Sequence, residues 1–279
     1  MLTKPRYINA GGKLIDLDIP KVMGIMNITP DSFFGGSRYN TDKEIITAAG
    51  RMLEDGAAIL DVGGYSSRPG AADISNEEEG RRVVRAIKII RKEFPDAVIS
   101  VDTFRSDVAL EAILEAGAQI INDISGGDAD INMFSIVERL KVPYIMMHMK
   151  GEPSTMQKKA FYDDIVADIL KYFGERIFRL RTAGVKDIII DPGFGFAKTV
   201  EHNFDLLSRL DDLSIAGLPL MVGISRKSMI WKTLDITADE ALNGTTAMHT
   251  VALLKGADIL RVHDVKEAMQ AIRLVSNIR

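Results

Sequence analysis

Apolar positions along the chain gather in short, nearly unbroken runs, separated by longer stretches with helical spacing. The runs are VMGIM (22–26), AILDV (58–62), AVISV (97–101), QIIND (119–123), VPYIMM (142–147), DIIID (187–191), LPLMV (218–222) and ADILRV (257–262). They are rich in β-branched residues and apolar on both faces, which predicts strands buried on both sides, as in a parallel sheet. The stretches between them carry helix signals. Thr41-Asp42-Lys43-Glu44 has the spacing of a capping box, and Ser75 to Glu78 repeats it before RRVVRAIKIIRKEF. Gly56, Gly117, Gly184 and Gly256 each close a helical stretch shortly before the next apolar run, at the place where a left-handed residue ends a helix. Eight such strand–helix units predict an α/β fold, the (β/α)₈ TIM barrel, as one domain over residues 1–279. An open doubly wound sheet is the alternative. YINAGGKLIDLD, within the first 20 residues, predicts a hairpin around Gly11-Gly12 that plugs the barrel bottom.

Barrel active sites lie at the C-terminal ends of the strands. The predicted strands end in Asn27, in Asp61, in Asp102, in Asn122 and Asp123, in His148, in Asp191, in Ser225-Arg226-Lys227, and in Arg261 and His263. One polar strand end is an ordinary turn former; polar groups at every end point to one shared site. Asp102, Asn122 and Asp191 offer carboxylate and amide groups suited to a flat, nitrogen-rich heterocycle with an amidine-like edge. Arg261 and His263 are two apart, so they share a side of their strand and suit phosphate oxygens. The last strand of a closed barrel neighbours the first, which puts that pair near Asn27. The Asn27 carbonyl is a hard oxygen ligand suited to Mg²⁺; Asn27 also reads as a turn cap before Thr29-Pro30. NITPDSFFGGSRYN and GGYSSRPGA read either as mobile lids or as two long surface loops.

Composition narrows the partners. With 35 basic and 39 acidic residues the net charge is −4, so no broad positive field gathers nucleic acid or anionic lipid. No run approaches the ~18 apolar residues of a membrane span. MLTKPRYINAGGKLID has no apolar core of a secretory signal. The absence of cysteine excludes thiolate nucleophiles and zinc–thiolate or iron–sulfur sites, and it fits a reducing compartment. A cytoplasmic protein is expected, with neither nucleic acid nor membrane as a partner.

At the strand ends the chain resembles a known family. Gly24-Ile25-Met26-Asn27-Ile28-Thr29-Pro30-Asp31-Ser32-Phe33 is similar to the first signature of the dihydropteroate synthases, and Asp61-Val62-Gly63-Gly64-Tyr65-Ser66-Ser67-Arg68-Pro69-Gly70-Ala71 to the second. The likeness continues through SVDTFRS, IINDISGG, MHMKGEPSTMQ, IIDPGFGFAKT, VGISRKS, GTTAMHT and RVHDV, from about Lys21 to Val265. The resemblance implies a (β/α)₈ barrel that joins 6-hydroxymethyl-7,8-dihydropterin diphosphate to 4-aminobenzoate in folate biosynthesis, a sulfonamide-sensitive class of reaction. It implies that Asp102, Asn122, Asp191 and Lys227 hold the pterin, that Asn27 ligates Mg²⁺ on the diphosphate, and that Arg261 and His263 bind the phosphates. Ser67 and Arg68 would contact the diphosphate or order the aminobenzoate site. Phe33, Pro69, Phe196 and Ser225 would line the aminobenzoate pocket, and Asp61 would support its strand end through hydrogen bonds. Relatives are usually homodimers; the helix VKEAMQAIRLVSNI carries an apolar stripe that serves either pairing or the barrel itself.

Two departures stand out. Phe34-Gly35-Gly36-Ser37 has no acid where the family often has one, and Tyr65 stands where Glu is common, with Ser67 in place of Thr. Two other functions compete: a non-catalytic pterin-binding paralogue, which the altered first loop favours, and a methyltetrahydrofolate-type methyltransferase, which would need neither the NITPDSF and SSRPG loops nor a diphosphate site. His148 and His249 read as structural, His202 as solvated at a polar helix start, and Trp231 as a helix anchor. Met146 and Met221 are expected to approach the ligand from barrel strands. GFGF lacks the third glycine of a dinucleotide fingerprint.

Overall fold

The computed structural model describes residues 4–28, 41–66, 73–152 and 155–278. A hairpin comes first, β1 (Tyr7–Ala10) paired antiparallel with β2 (Lys13–Asp16). Gly11 and Gly12 make its turn at φ of 60° and 91°, a region open to glycine, and Asn9 Oδ1 accepts the Gly12 N–H at 2.8 Å. Eight parallel strands follow: β3 (Lys21–Asn27), β4 (Ile59–Gly63), β5 (Ile99–Asp102), β6 (Ile120–Asp123), β7 (Tyr144–Met147), β8 (Ile188–Asp191), β9 (Met221–Val222) and β10 (Ile259–Val262). Between and after them lie α1 (Asp42–Glu54), α2 (Asn76–Glu93), α3 (Ser106–Leu114), α4 (Met133–Leu140), α5 (Ile165–Thr182), α6 (Val200–Ser208), α7 (Ser228–Leu234), α8 (Leu242–Leu254) and α9 (Val265–Val275).

The strand order β8-β7-β6-β5-β4-β3-β10-β9 closes on itself, because Ile190 pairs parallel with Leu220 and its N–H donates to the Pro219 carbonyl at 3.0 Å. Closure makes this a barrel and sets aside the open doubly wound sheet. β9 is shorter than its apolar run because Pro219 has no N–H and the Leu220 N–H donates to the Asp258 carboxylate at 2.7 Å. The reciprocal capping box forms at α1, where Thr41 and Glu44 exchange bonds of 2.9 and 3.2 Å. At α2 only the Ser75 half forms, since the Glu78 carboxylate is taken by Arg81 and Arg82.

Inward and outward side chains alternate along each strand, which sorts the core into two parts. Outward residues meet the helices in one large apolar shell. Inward, Met23, Ile59, Val98, Ile120, Ile145, Ile189, Met221 and Ile259 form a floor with Ile8, Ala10, Ile15 and Leu17 of the hairpin packed into it. The hairpin therefore plugs the barrel as its sequence predicted.

Candidate active site

Two residues beyond the apolar floor, the inward positions become polar. The next set is Ile25, Asp61, Ser100, Asn122, Met147, Asp191, Gly223 and Arg261; beyond it, toward the mouth, come Asn27, Gly63, Asp102, Ser225 and His263. The strand ends thus form a deep tier and a rim.

Asp61 sits in the deep tier within β4, with no exposure. Its Oδ2 accepts from Asn122 Nδ2 at 2.9 Å and from Arg261 Nε at 2.7 Å, while its buried Oδ1 has no partner among the described residues. Arg261 Nη2 reaches up to Asp102 Oδ2 at 2.5 Å. Arg261, expected to face phosphates, is thus clamped between two carboxylates. Although burial works against its charge, Asp61 and Asp102 hold its pKa above the ordinary value. Burial pushes the Asp102 carboxyl up to about 7, with Asp61 adding to the rise and Arg261 opposing it. Gly63 lies beside Asp102 in the sheet, and a Cβ there would come within 3.5 Å of Asp102 Oδ2.

Across the pocket, Asp191 Oδ1 accepts the Gly193 N–H at 2.8 Å. Burial raises its pKa, against the charges of Lys227 and Arg261. Lys227 Nζ donates to the Phe194 carbonyl and lies 4.7 Å from the Phe196 ring centre. Burial lowers its pKa to about 8. Gly223 leaves the space in the middle open: a Cβ there would be 3.8 Å from Lys227 Nζ and 3.9 Å from Asp191 Oδ2. On the rim, Ser225 Oγ accepts the His263 backbone N–H at 3.2 Å and lies 3.1 Å from His263 Nδ1. Burial, with Arg261 nearby, pushes the His263 imidazole down to about 4, so it is neutral at pH 7. Asn27 ends β3 beside Gly63, half-buried.

The structure therefore brings together Asn27, Asp61, Asp102, Asn122, Asp191, Phe196, Ser225, Lys227, Arg261 and His263. Phe33, Ser67, Arg68 and Pro69, and the acid-free turn at Gly35, lie outside the described residues. Several neighbours turn away from the mouth. Asp123 is one residue from Asn122 and so faces outward, where it accepts from Tyr144 Oη, Ser125 and Gly127 at 2.7–2.9 Å. Arg226 pairs with Asp264 at 2.8 Å behind the pocket. The two methionines expected near the ligand do not reach it. Met146 packs outward in the helix shell and Met221 in the floor; Met147 instead joins Ile124, Met149, Met156, Phe104 and Phe196 in an apolar wall at the mouth. Tyr65 packs edge-on against Phe104, 5.0 Å between ring centres, with the Arg105 guanidinium 5.2 Å from its ring centre.

Of the histidines, His202 completes the capping box of α6 with Thr199, and His249 is buried in α8. His148 is buried too and contacts Lys198 Nζ at 3.1 Å. Lys198 is a buried lysine beside the pocket that the sequence alone does not single out, and burial pushes its pKa well below the ordinary value. One lysine after an apolar GFGFA run carries no spacing signal of its own. Trp231 packs α7 against the outer shell as expected.

Chemically, two carboxylates, an amide and an ammonium over an apolar floor suit a flat heterocycle with both donors and acceptors. Arg261, His263 and Asn27 share the side of the mouth where β10 meets β3. Comparison with known proteins agrees with this chemistry. A family model described as "Pterin binding enzyme" matches residues 23–263. The dihydropteroate synthase of Escherichia coli K12 is 44% identical over 268 residues, 95% of this chain and 94% of that protein. The crystal structure of the Yersinia pestis dihydropteroate synthase in a sulfonamide drug complex superposes with a TM-score of 0.93 at 40% identity, covering 98% and 99% of the two chains. That of the Xanthomonas albilineans enzyme with 4-aminobenzoic acid gives a TM-score of 0.89 at 36% identity, covering 98% of each.

Proposed function

We infer the reaction from one premise: the chain belongs to the pterin-binding enzyme family. Its activity is that of a dihydropteroate synthase, a transferase of folate biosynthesis. It joins 6-hydroxymethyl-7,8-dihydropterin diphosphate to 4-aminobenzoate and releases 7,8-dihydropteroate and pyrophosphate. The observation that carries this reading is one linked set at the mouth: Arg261 pairs with Asp61 and Asp102, Asp61 holds Asn122, and Lys227 and Asp191 face the gap left by Gly223. The same reading sets aside the methyltransferase, which would have no use for Arg261 and His263 as a diphosphate site.

In this reading Asn122, Asp191 and Lys227 hold the pterin ring, and Asp61 supports Asn122 and Arg261 from below. Arg261 and His263 bind the diphosphate. As the methylene C–O bond breaks, positive charge grows on that carbon and spreads into the ring. The carboxylates of Asp102 and Asp191 stabilise it, and their fixed positions supply that stabilisation without reorganisation. The neutral aniline nitrogen forms the new C–N bond, and its proton leaves with the released pyrophosphate or to water. No strong general base is required. Phe196 and Ser225 border the aminobenzoate side, with Phe33 and Pro69 assigned to it by resemblance, and Ser67 and Arg68 assigned by resemblance to the diphosphate or to ordering that side; sulfonamides compete there.

Asn27 fits the expected Mg²⁺. Its side chain accepts no hydrogen bond among the described residues, and one neutral oxygen matches an ion that keeps most of its waters. No cluster of three acidic or histidine side chains able to cage a metal is present among the described residues, so water and substrate phosphate complete the shell. When bound, the ion supplies charge neutralisation on the departing diphosphate. We read the enzyme as a single-domain cytoplasmic homodimer; no helix among the described residues is long and apolar enough to cross a membrane. The α9 stripe, Val265, Ala268, Ala271, Ile272 and Val275, packs on the barrel, while Leu234 of α7, Leu254 of α8 and Leu274 of α9 stay exposed.

The test is pyrophosphate release from purified protein with both substrates and Mg²⁺, beside Asn27→Ala and Arg261→Ala. Release that needs all three components, yields a pteroate and falls in both variants is expected. Tight pterin binding with no release refutes the assignment in favour of the non-catalytic paralogue.

A further inference from the structure

The loop after β8 carries Phe196 and the carbonyl that receives Lys227, and nearly every polar backbone group in it is tied. Gly193 N–H donates to Asp191 at 2.8 Å, and Gly195 N–H to Asn203 Oδ1 at 2.7 Å. The Phe194 carbonyl accepts from Lys227, and the Ala197 carbonyl from Tyr162 Oη at 2.9 Å. Two further carbonyls, of Gly193 and Phe196, both accept from Lys198 Nζ, at 2.9 and 3.1 Å, and the Gly193 carbonyl also accepts the Phe196 N–H at 3.1 Å. The third neighbour of Nζ is His148 Nδ1 at 3.1 Å. Burial lowers the Lys198 pKa well below its ordinary value, and the set is complete in either protonation state: a third ammonium proton meets a neutral His148 Nδ1, or the amine lone pair accepts from a protonated Nδ1.

Lys198 is 3% exposed. A lysine so deeply buried is retained only where its hydrogen bonds are complete. Its surroundings are also rigid. A Cβ on Gly193 would lie 2.1 Å from the His148 carbonyl oxygen, and Ala197 holds φ of 48° without being glycine. The His148 ring is itself wedged edge-on against Tyr172, 4.8 Å between centres, and the His148 backbone N–H donates to the Asp191 carbonyl at 2.9 Å. Lys198 Nζ therefore ties both ends of the Gly193–Phe196 segment, which are also joined by their own backbone bond, to His148 on the loop after β7.

We propose that Lys198 is a positioning residue for the second substrate: by holding the Gly193 and Phe196 carbonyls against His148 it sets the Phe196 ring at the edge of the aminobenzoate pocket. Lys198 does not touch either substrate and acts through Phe196. This rests on the synthase reading given above.

The test is Lys198→Met, which keeps the length of the stem and removes the Nζ hydrogen bonds. At saturating pterin diphosphate the KM for 4-aminobenzoate is expected to rise about tenfold, with kcat within about threefold of wild type. A merely structural role would lower the active fraction, and hence kcat, and leave KM unmoved. A KM within about threefold of wild type therefore overturns the inference, whatever happens to kcat. His148→Leu against His148→Asn gives the same contrast if Lys198→Met does not fold. Asn keeps an acceptor near the Nδ1 position, so it is expected to restore the low KM that Leu loses; equal KM values in the two variants overturn the inference. A wild-type protein that releases no pyrophosphate refutes the synthase reading instead, so the two failures are distinguishable.

Discussion

Replacing Asp61 by Asn probes the deep tier without changing its shape. Asp61 has no exposure, and its Oδ2 receives both the Arg261 Nε–H at 2.7 Å and the Asn122 amide at 2.9 Å. A hydrogen bond to a charged acceptor is worth about 1.5–3 kcal/mol and a neutral one about 0.5–1.5, so losing the charge removes about 1 kcal/mol from each. Breaking a buried ion pair outright costs about 3–5 kcal/mol, but Arg261 keeps its bond to Asp102. A net loss of about 2 kcal/mol follows, a drop of about 4–8 °C in melting temperature for a chain of this size. The second consequence is electrical. The Asp61 charge helps to hold the Asp102 carboxyl up near 7, and Arg261 pulls it down. Removing Asp61 leaves Arg261 to Asp102 alone, so the Asp102 pKa falls. If ionised Asp102 is the active form, kcat/KM for the pterin diphosphate declines in wild type as pH drops through about 7, and in Asp61→Asn that acid limb moves to lower pH. Thermal melting and a pH–rate profile from pH 5 to 8 measure both effects. A variant that melts with wild type and keeps the same acid limb refutes the clamp.

Gly223→Ala is expected to melt within about 1 °C of wild type, because its methyl makes only ordinary contacts of 3.8–4.0 Å. The methyl fills the gap between Lys227 and Asp191, so calorimetric affinity for the pterin should fall at least about tenfold. Gly193→Ala is the opposite case: with the new carbon 2.1 Å from the His148 carbonyl, loss of both stability and activity is expected in melting and turnover assays. Burial holds His249 at about 4, below its ordinary 6.5. The unfolded chain therefore binds the extra proton between those values, and stability contributed by this group rises with pH across that window. Denaturant titrations should show a shallower rise from pH 4 to 6.5 in His249→Leu than in wild type. Thr41→Ala removes one half of the α1 capping box and should cost about 1 kcal/mol in the same titrations.

Much of this was legible in the chain itself, and for physical reasons. β-Branched runs buried on both faces mark parallel strands whatever their neighbours, so all eight strands of the barrel stood out. The period of two would also have separated Asn122 from Asp123 and Met147 from Met146; reading strand ends as a group blurred that parity. What a linear pattern does not carry is the choice of partner. Arg261 has the type and place for a phosphate, and only the closed ring shows it pinned by Asp61 and Asp102, 200 and 159 positions away. Lys198 and His148 are 50 positions apart on neighbouring loops, and their contact exists only because β7 and β8 lie side by side. Tyr65, unexplained by resemblance, acquires its place from Phe104 and Arg105, beyond the next strand.

The hairpin at the barrel floor also braces the ring from one side to the other. The neighbouring Lys4 pairs with Asp258 and donates to the Gly256 carbonyl beside β10. On the opposite arc, Lys13 donates to the Asp96 carbonyl before β5, and Gln119 before β6 donates to the Ala10 carbonyl. Chords drawn across a hoop stop it from ovalising. The barrel is thus a cup whose base is stiffened by contacts separate from those around the substrates, so the described mouth residues can shift without loosening the floor. Amide hydrogens of the first residues of each strand should exchange only on global unfolding. The mechanical stiffness of the floor is supplied by residues remote from the chemistry.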